Sequence, residues 1–234
     1  MLKKKKKTQD ASTTHYTTSR SIATFRLLGC SGPASFGEMT DRFQSARKKI
    51  YEAHDEDPNK HTTSAGVTVP YETHYAGQME HYLKLRFPEA SELLTLAVCG
   101  QHFRRWEVPR DSYPMTKIGY HSWRTALKKR QAKLVGEILE QCGYDEKDTQ
   151  RCMALIEKEG LRQGEEEVQV LEDVACLVFL DDQFEEFKDK HDDEKIVNIL
   201  KKTWVKMSEP GQSLALGIPM TDECKALVHR ALAS

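Results

Sequence analysis

The sequence predicts an all-α fold, and three observations predict it. Apolar side chains recur at three- and four-residue spacing from about Thr40 to the end of the chain, the period that gathers them on one face of a helix. Cap residues such as Thr40, Asp145 and Asp192 stand ahead of these runs, where a side-chain oxygen can accept the backbone N–H groups that a helix start leaves open. No stretch sustains the two-residue alternation of a half-buried strand, and no GxGxxG or P-loop pattern marks a nucleotide-binding sheet.

The elements follow in order. Thr40 caps a first helix whose buried stripe is Phe43, Ala46, Ile50 and Ala53. Residues 55 to 68 form a polar link, with Asp57-Pro58-Asn59 as its turn signal. A second helix, about Glu72 to Phe87, carries Tyr75, Met79, Tyr82 and Leu85; Pro88 opens a third, Glu89 to about Arg105, which delivers His102 near its end. Pro109 and Pro114 break the period and make a loop. A long helix runs from about Thr116 to Gln141 with Tyr120, Trp123, Leu127, Leu134 and Ile138 along one side, closed by Gly143. Asp145 caps the next helix. One from about Glu165 to Asp189 follows, then one capped by Asp192, and a short last one spans Thr221 to Ala233.

The 234 residues suffice for one well-cored domain, 39–234, preceded by a leader, 1–38. Hydrophobic content of 38% and charged content of 30% predict a soluble protein, with no apolar run able to cross a bilayer. The net charge of -1 is unevenly spread: residues 1–37 hold seven basic side chains against one acidic one, so the body is acidic. That argues against nucleic-acid binding outside the basic tail. The leader reads as disordered, and Lys3 to Lys7 or the hydroxyl-rich stretch after them could serve as a nuclear or organellar address for an otherwise cytoplasmic, intracellular chain. Cys30, Cys99, Cys142, Cys152, Cys176 and Cys224 form no CxxC pair and read as reduced thiols.

Residues 101–110, QHFRRWEVPR, are the densest chemistry in the chain. Arginine is always charged and presents a rigid fork suited to phosphate. Arg104, Arg105 and Arg110 beside His102, Trp106 and Glu107 suggest a pocket for a small phosphorylated molecule, with Tyr113 and Arg124 further along; the competing reading is a salt-bridge network that joins helices. A second constellation is Glu172-Asp173 inside the apolar run Val168 to Leu180. Adjacent helical residues differ by about 100° in direction, so at least one carboxylate faces the interior, where it needs a metal or a cation such as Arg105 or Arg124.

Two resemblances add to this. Glu72, His74 and Tyr75, the run Leu96 to His102, the run Gln131 to Leu139 and Leu171-Glu172-Asp173 resemble, in order, the layout of the HD-domain metal-dependent phosphohydrolases. The resemblance implies an HD-like helical bundle holding a divalent metal on His102, Asp173 and the earlier His74. Phe103 stands where that superfamily has its motif aspartate, and Glu107 or Glu172 would replace it as ligand or general base. Gln131 stands where some members have a further histidine, which speaks against a two-metal site. Over about Asp41 to Ala233 the chain is also similar to a domain-of-unknown-function family often labelled glutamyl-tRNA synthetase. The shared text is Asp55 to Asn59, Gln101 to Arg110, Ser112 to Met115, Gly119-Tyr120, Trp123-Arg124, Leu171 to Leu180 and Lys202 to Trp204. A helical chain of this length lacks the sheets that aminoacylation requires, and Lys206-Met207-Ser208 is an accidental fragment of the synthetase motif.

Two functions are therefore expected. One is hydrolysis of a nucleotide or other phosphate ester by metal-bound water, with Arg104, Arg105, Arg110 and Arg124 gripping phosphate and Trp106, Tyr113 or Trp123 stacking on a base. The other is a small-molecule sensor or interaction domain that keeps the pocket without chemistry.

Overall fold

The structure, a computed structural model, describes residues 40–63 and 66–233. The basic leader with its candidate addresses, and Cys30, lie outside the described residues. Thr40 Oγ accepts from the Phe43 amide and starts α1 (Asp41–His54), which buries Phe43, Ala46 and Ile50 as its period demands, with His54 added. The polar link folds into a small antiparallel hairpin, β1 (Lys60–Thr62) and β2 (Thr68–Pro70). Strands of three residues are too short for alternation to register, which is why the sequence reads there as a link.

The hairpin runs directly into α2 (Tyr71–Arg86), which buries Tyr75, Ala76, Met79, Tyr82 and Leu83, while Leu85 turns to solvent. The next helix is shorter than predicted. Ser91, not Pro88, caps α3 (Glu92–Cys99), and the chain leaves the helix at Gly100. Beyond it His102 and Arg104 both adopt left-handed backbone, with φ of 63° and 49°. Single helical turns then cover Arg105–Glu107 and Arg110–Ser112.

Thr116 caps α4 (Lys117–Gln141). Its buried face is Trp123, Leu127, Gln131, Ala132, Val135 and Leu139, so Leu134 and Ile138 flank the core and Tyr120 is exposed. Gly143, at φ 85°, lets the Tyr144 amide turn back to the Leu139 carbonyl and seal the helix end. Asp145 caps α5 (Glu146–Glu157).

Then comes the central α6 (Glu166–Val178), whose Val168, Leu171, Val174, Leu177 and Val178 are wholly enclosed. The sequence predicts one helix to Asp189, but a π-helical turn, Phe179–Gln183, interrupts it before α7 (Phe184–Asp189). Asp192 caps α8 (Asp193–Trp204), and α10 (Asp222–Leu232) closes the described chain. Between them lies a helix that sequence periodicity missed, α9 (Glu209–Leu216), started by Ser208 with a proline in its first turn. It is too short to show a repeat of its apolar residues. No helix among the described residues is long and apolar enough to cross a membrane.

Asp173, expected as a metal ligand, is instead the joint between α6 and α9. Fully buried, it accepts from Arg86 Nε at 2.8 Å, the Ser208 amide at 2.8 Å, Ser208 Oγ at 2.5 Å and Gln169 Nε2 at 2.9 Å. Four donors occupy the acceptor sites of its two oxygens. Ser208 belongs to this joint, which gives Lys206-Met207-Ser208 a structural role. Gly211 is required by the same contact, since a Cβ there would come within 2.7 Å of the Asp173 carboxyl carbon. Gly211→Ala should therefore force α9 off α6 and cost about 1–3 kcal/mol of stability, measured as a lowered urea midpoint; an unchanged midpoint would contradict the packing.

Candidate functional site

The site begins with a buried acid. Glu72, in the first turn of α2, is 2% exposed and points at the irregular segment after α3. Its Oε2 accepts from the Arg104 amide at 2.9 Å and its Oε1 from the Arg105 amide at 2.7 Å. The α2 helix start is itself held, because the Glu72 amide donates to Asp57 Oδ2 at 3.0 Å. His54 Nδ1 lies 3.1 Å from Glu72 Oε2 while His54 Nε2 faces the Cys99 carbonyl at 2.9 Å. Both ring nitrogens thus meet oxygen atoms, which fixes the ring between α2 and the end of α3. Burial raises the Glu72 pKa, opposed by His54 and the Arg105 amide. Phe103 tucks its ring against His54, 5.4 Å between centroids, and is a core residue.

This clamp presents His102 and Arg105 side by side. The His102 ring stacks on Tyr75 at 4.0 Å with planes 13° apart, and its Nε2 lies 2.7 Å from Arg105 Nη1. A guanidinium can only donate, so Nε2 supplies the lone pair and the proton sits on Nδ1, which is buried without a hydrogen-bond partner. Burial, then Arg105, Arg124, Lys158 and His54, push the His102 pKa well below the usual histidine value. With its free lone pair turned to a cation, this imidazole is poorly placed to ligate a metal.

Positive charge collects around it. Arg105 is half-buried, its guanidinium 4.8 Å over the ring of Trp123, whose Nε1 donates to the Val108 carbonyl. Among the described residues Arg105, Arg124 and Lys128 form no ion pair with a carboxylate. Burial lowers the pKa of Arg105, with Arg124 adding to it while Tyr75 and Tyr71 oppose it. Lys128 is lowered by burial and then by Lys158 and Arg124. Glu172, 8% exposed, reaches this side of α6, but Lys158 binds it closely and Lys206 lies 3.7 Å away. Burial alone would raise its pKa; the two lysines and Arg124 bring it below the ordinary value.

The remaining predicted residues divide between the two readings of the sequence. Arg104 pairs with Glu56 and, at 2.7 Å, with Glu107, which also binds Arg130. That is the helix-joining salt-bridge network, and Trp106 lies under Arg104 at 5.7 Å. Arg110 donates to the carbonyls of Tyr113, Pro114 and Thr116, lacing the loop to α4, and Tyr113 serves through its backbone. Asp173 is saturated by the α6–α9 joint. The structure therefore sets His102 against Arg105, with Arg124 near enough to act on both and on Glu172, and does not bring His74, His102 and Asp173 to one ligand position.

His74 has different company. Its Nε2 lies 2.5 Å from Asp182 Oδ1, and its ring stacks on His61 at 3.8 Å with planes 13° apart. One ligand atom from each of His61, His74 and Asp182 falls within 4.8 Å of the other two. Tyr71 is within electrostatic reach of both groups: its hydroxyl accepts from Gln183 Nε2 at 2.9 Å, and its pKa is pushed up to about 12 by burial and by Asp182, against the pull of Arg105. Sequence reasoning missed His61, Asp182, Lys128 and Lys158. A histidine in a presumed link and an aspartate in a presumed helix gave no signal, because the hairpin and the π turn that aim them were not foreseen.

A family model described as a domain of unknown function, DUF4202, matches residues 44–228. No curated protein and no solved structure matches the chain.

The depressed His102 pKa has a sign that can be measured. The unfolded chain binds a proton at this imidazole near pH 6.5 that the folded chain refuses, so folding stability falls as pH drops below that value. His102→Gln should flatten the pH dependence of urea unfolding between pH 7 and 5, by up to about 1.4 kcal/mol per pH unit. Equal slopes in the two proteins would place the proton elsewhere.

Proposed function

The chain belongs to the DUF4202 family, and we propose that it is a helical binding domain for a small phosphorylated molecule. The observation that carries this reading is Arg105: a half-buried guanidinium with no carboxylate partner among the described residues, held rigidly on Trp123 and His102. Desolvating a cation without an anion is costly; Lys128 is desolvated in the same way, the exposed Arg124 adds positive charge nearby, and Glu172 is already held by Lys158. An external anion would remove that cost. Arginine forks match the oxygens of a phosphoryl group.

A cleft lined by Leu180, Asp181, Phe184, Glu185, Pro219 and Thr221 is the wrong place for such a ligand, since its only charged walls are acidic. Hydrolysis, the catalytic form of the same reading, needs a water-activating centre. His102 and Asp173 do not supply one, the first facing Arg105 and the second enclosed by four donors.

Binding would stabilise the fold by mass action, by about 2.7 kcal/mol at a hundred times the dissociation constant. Pyrophosphate and adenosine nucleotides should raise the melting temperature at low ionic strength. Arg105→Gln should weaken their binding by about 10- to 100-fold in calorimetric titration, the loss of a charge-assisted pair. The exposed Arg124→Gln should weaken it in the same direction without disturbing the core. Binding unchanged in both variants, or no response of the wild type to any phosphate compound, overturns the proposal.

A further inference from the structure

We propose that His61, His74 and Asp182 form a binding site for one divalent transition-metal ion. The three come from separate parts of the chain, β1, α2 and the π turn after α6, yet offer two ring nitrogens and one carboxylate oxygen within 4.8 Å of one another. None of them was drawn together by sequence proximity. The packing of the hairpin onto α2 and the π turn beside α2 is what assembles them.

Charge favours an ion here. The Asp182 side chain is 9% exposed, and among the described residues its only ionic partner is His74, itself 11% exposed. A nearly buried carboxylate whose neighbour is an imidazole rather than a lysine or arginine is under-compensated, and a cation between them answers both. The near-parallel stack of His61 on His74 lets both rings present an edge nitrogen toward Asp182. Zinc–nitrogen bonds of about 2.0–2.1 Å put tetrahedral ligand atoms about 3.4 Å apart, inside the observed spread, so small side-chain rotations suffice.

The support around the cluster is of the kind that fixes ligands. Gln183 is tied to the Tyr71 hydroxyl at 2.9 Å, so the residue that follows Asp182 is anchored to α2. π-helical turns are rare and often aim a side chain at a function. Two imidazoles and one carboxylate suit zinc, manganese, iron or cobalt rather than magnesium or calcium, which prefer oxygen. Three protein ligands also leave a coordination position for water. The assignment does not depend on the phosphate-binding reading.

The full chain, stripped with chelator and dialysed, should bind one Zn²⁺ or Co²⁺ in calorimetric titration, and cobalt should give the visible bands of a coordinated ion. His61→Ala, His74→Ala and Asp182→Asn should each weaken binding about tenfold or more with circular dichroism unchanged, while Arg105→Gln leaves it intact. Should a variant fail to fold, diethylpyrocarbonate footprinting of the wild type decides: zinc should protect His61 and His74 but not the exposed His81. No metal uptake, uptake indifferent to His61, or equal modification of His61 and His74 with and without zinc overturns the assignment.

Discussion

A carboxylate accepting two consecutive backbone amides holds the rest of the site in place. Glu72 binds the Arg104 and Arg105 N–H groups from within the core, just where the chain passes through left-handed backbone at His102 and Arg104. Such conformations cost on the order of 1–3 kcal/mol each for residues with side chains, so they persist only where surrounding structure imposes them. Glu72 and His54 impose them, with Phe103 packed on His54 from the other side. The strain turns the His102 and Arg105 side chains toward Tyr75 and Trp123 and away from the salt-bridged Arg104.

The clamp sorts one dense stretch of sequence into two physical roles. Arg104 and Arg105 are neighbours with identical side chains, and composition cannot distinguish them. Arg104 faces outward, where Glu56 and Glu107 satisfy it. Arg105 faces inward to an imidazole and an indole, neither of which carries a compensating negative charge. The adjacent carboxylates Glu172 and Asp173 divide in the same way. Their roughly 100° separation sends Asp173 to the α9 joint and Glu172 to Lys158 beside the basic cluster.

Much of the fold was legible because it rests on local rules. Thr40, Asp145 and Asp192 cap where they should, since an N-cap is decided within four residues. One failure is local too: Ser91, whose Oγ accepts from the Leu94 amide, was passed over for Pro88 as the start of α3. The others are non-local, and nothing in residues 60–70 reveals pairing across so short a hairpin. At the site, the density of charge in residues 101–110 was visible, but the expected meeting of His102 with both Glu172 and Asp173 did not allow for the partners that each acid finds, Lys158 for the first and Arg86 and Ser208 for the second. Arg86 and Ser208 lie 87 and 35 residues from Asp173, and only the packing of α2 and α9 on α6 brings them to it. His74 stood out as a metal-ligating type, whereas His61 and Asp182 depended on a hairpin and a helix irregularity that periodicity does not encode.

The two proposed centres are complementary in charge, and Tyr71 feels both, Asp182 raising its pKa and Arg105 lowering it. Because burial keeps its hydroxyl protonated well above neutral pH, Tyr71 adds no charge of its own. Between partly buried groups electrostatic effects are screened less than in water. A cation held by Asp182 would add to the positive field at Arg105 and favour an anion there, and the anion would by necessity favour the cation to the same degree. The sign of that coupling follows from the charges alone, whatever the identity of either guest.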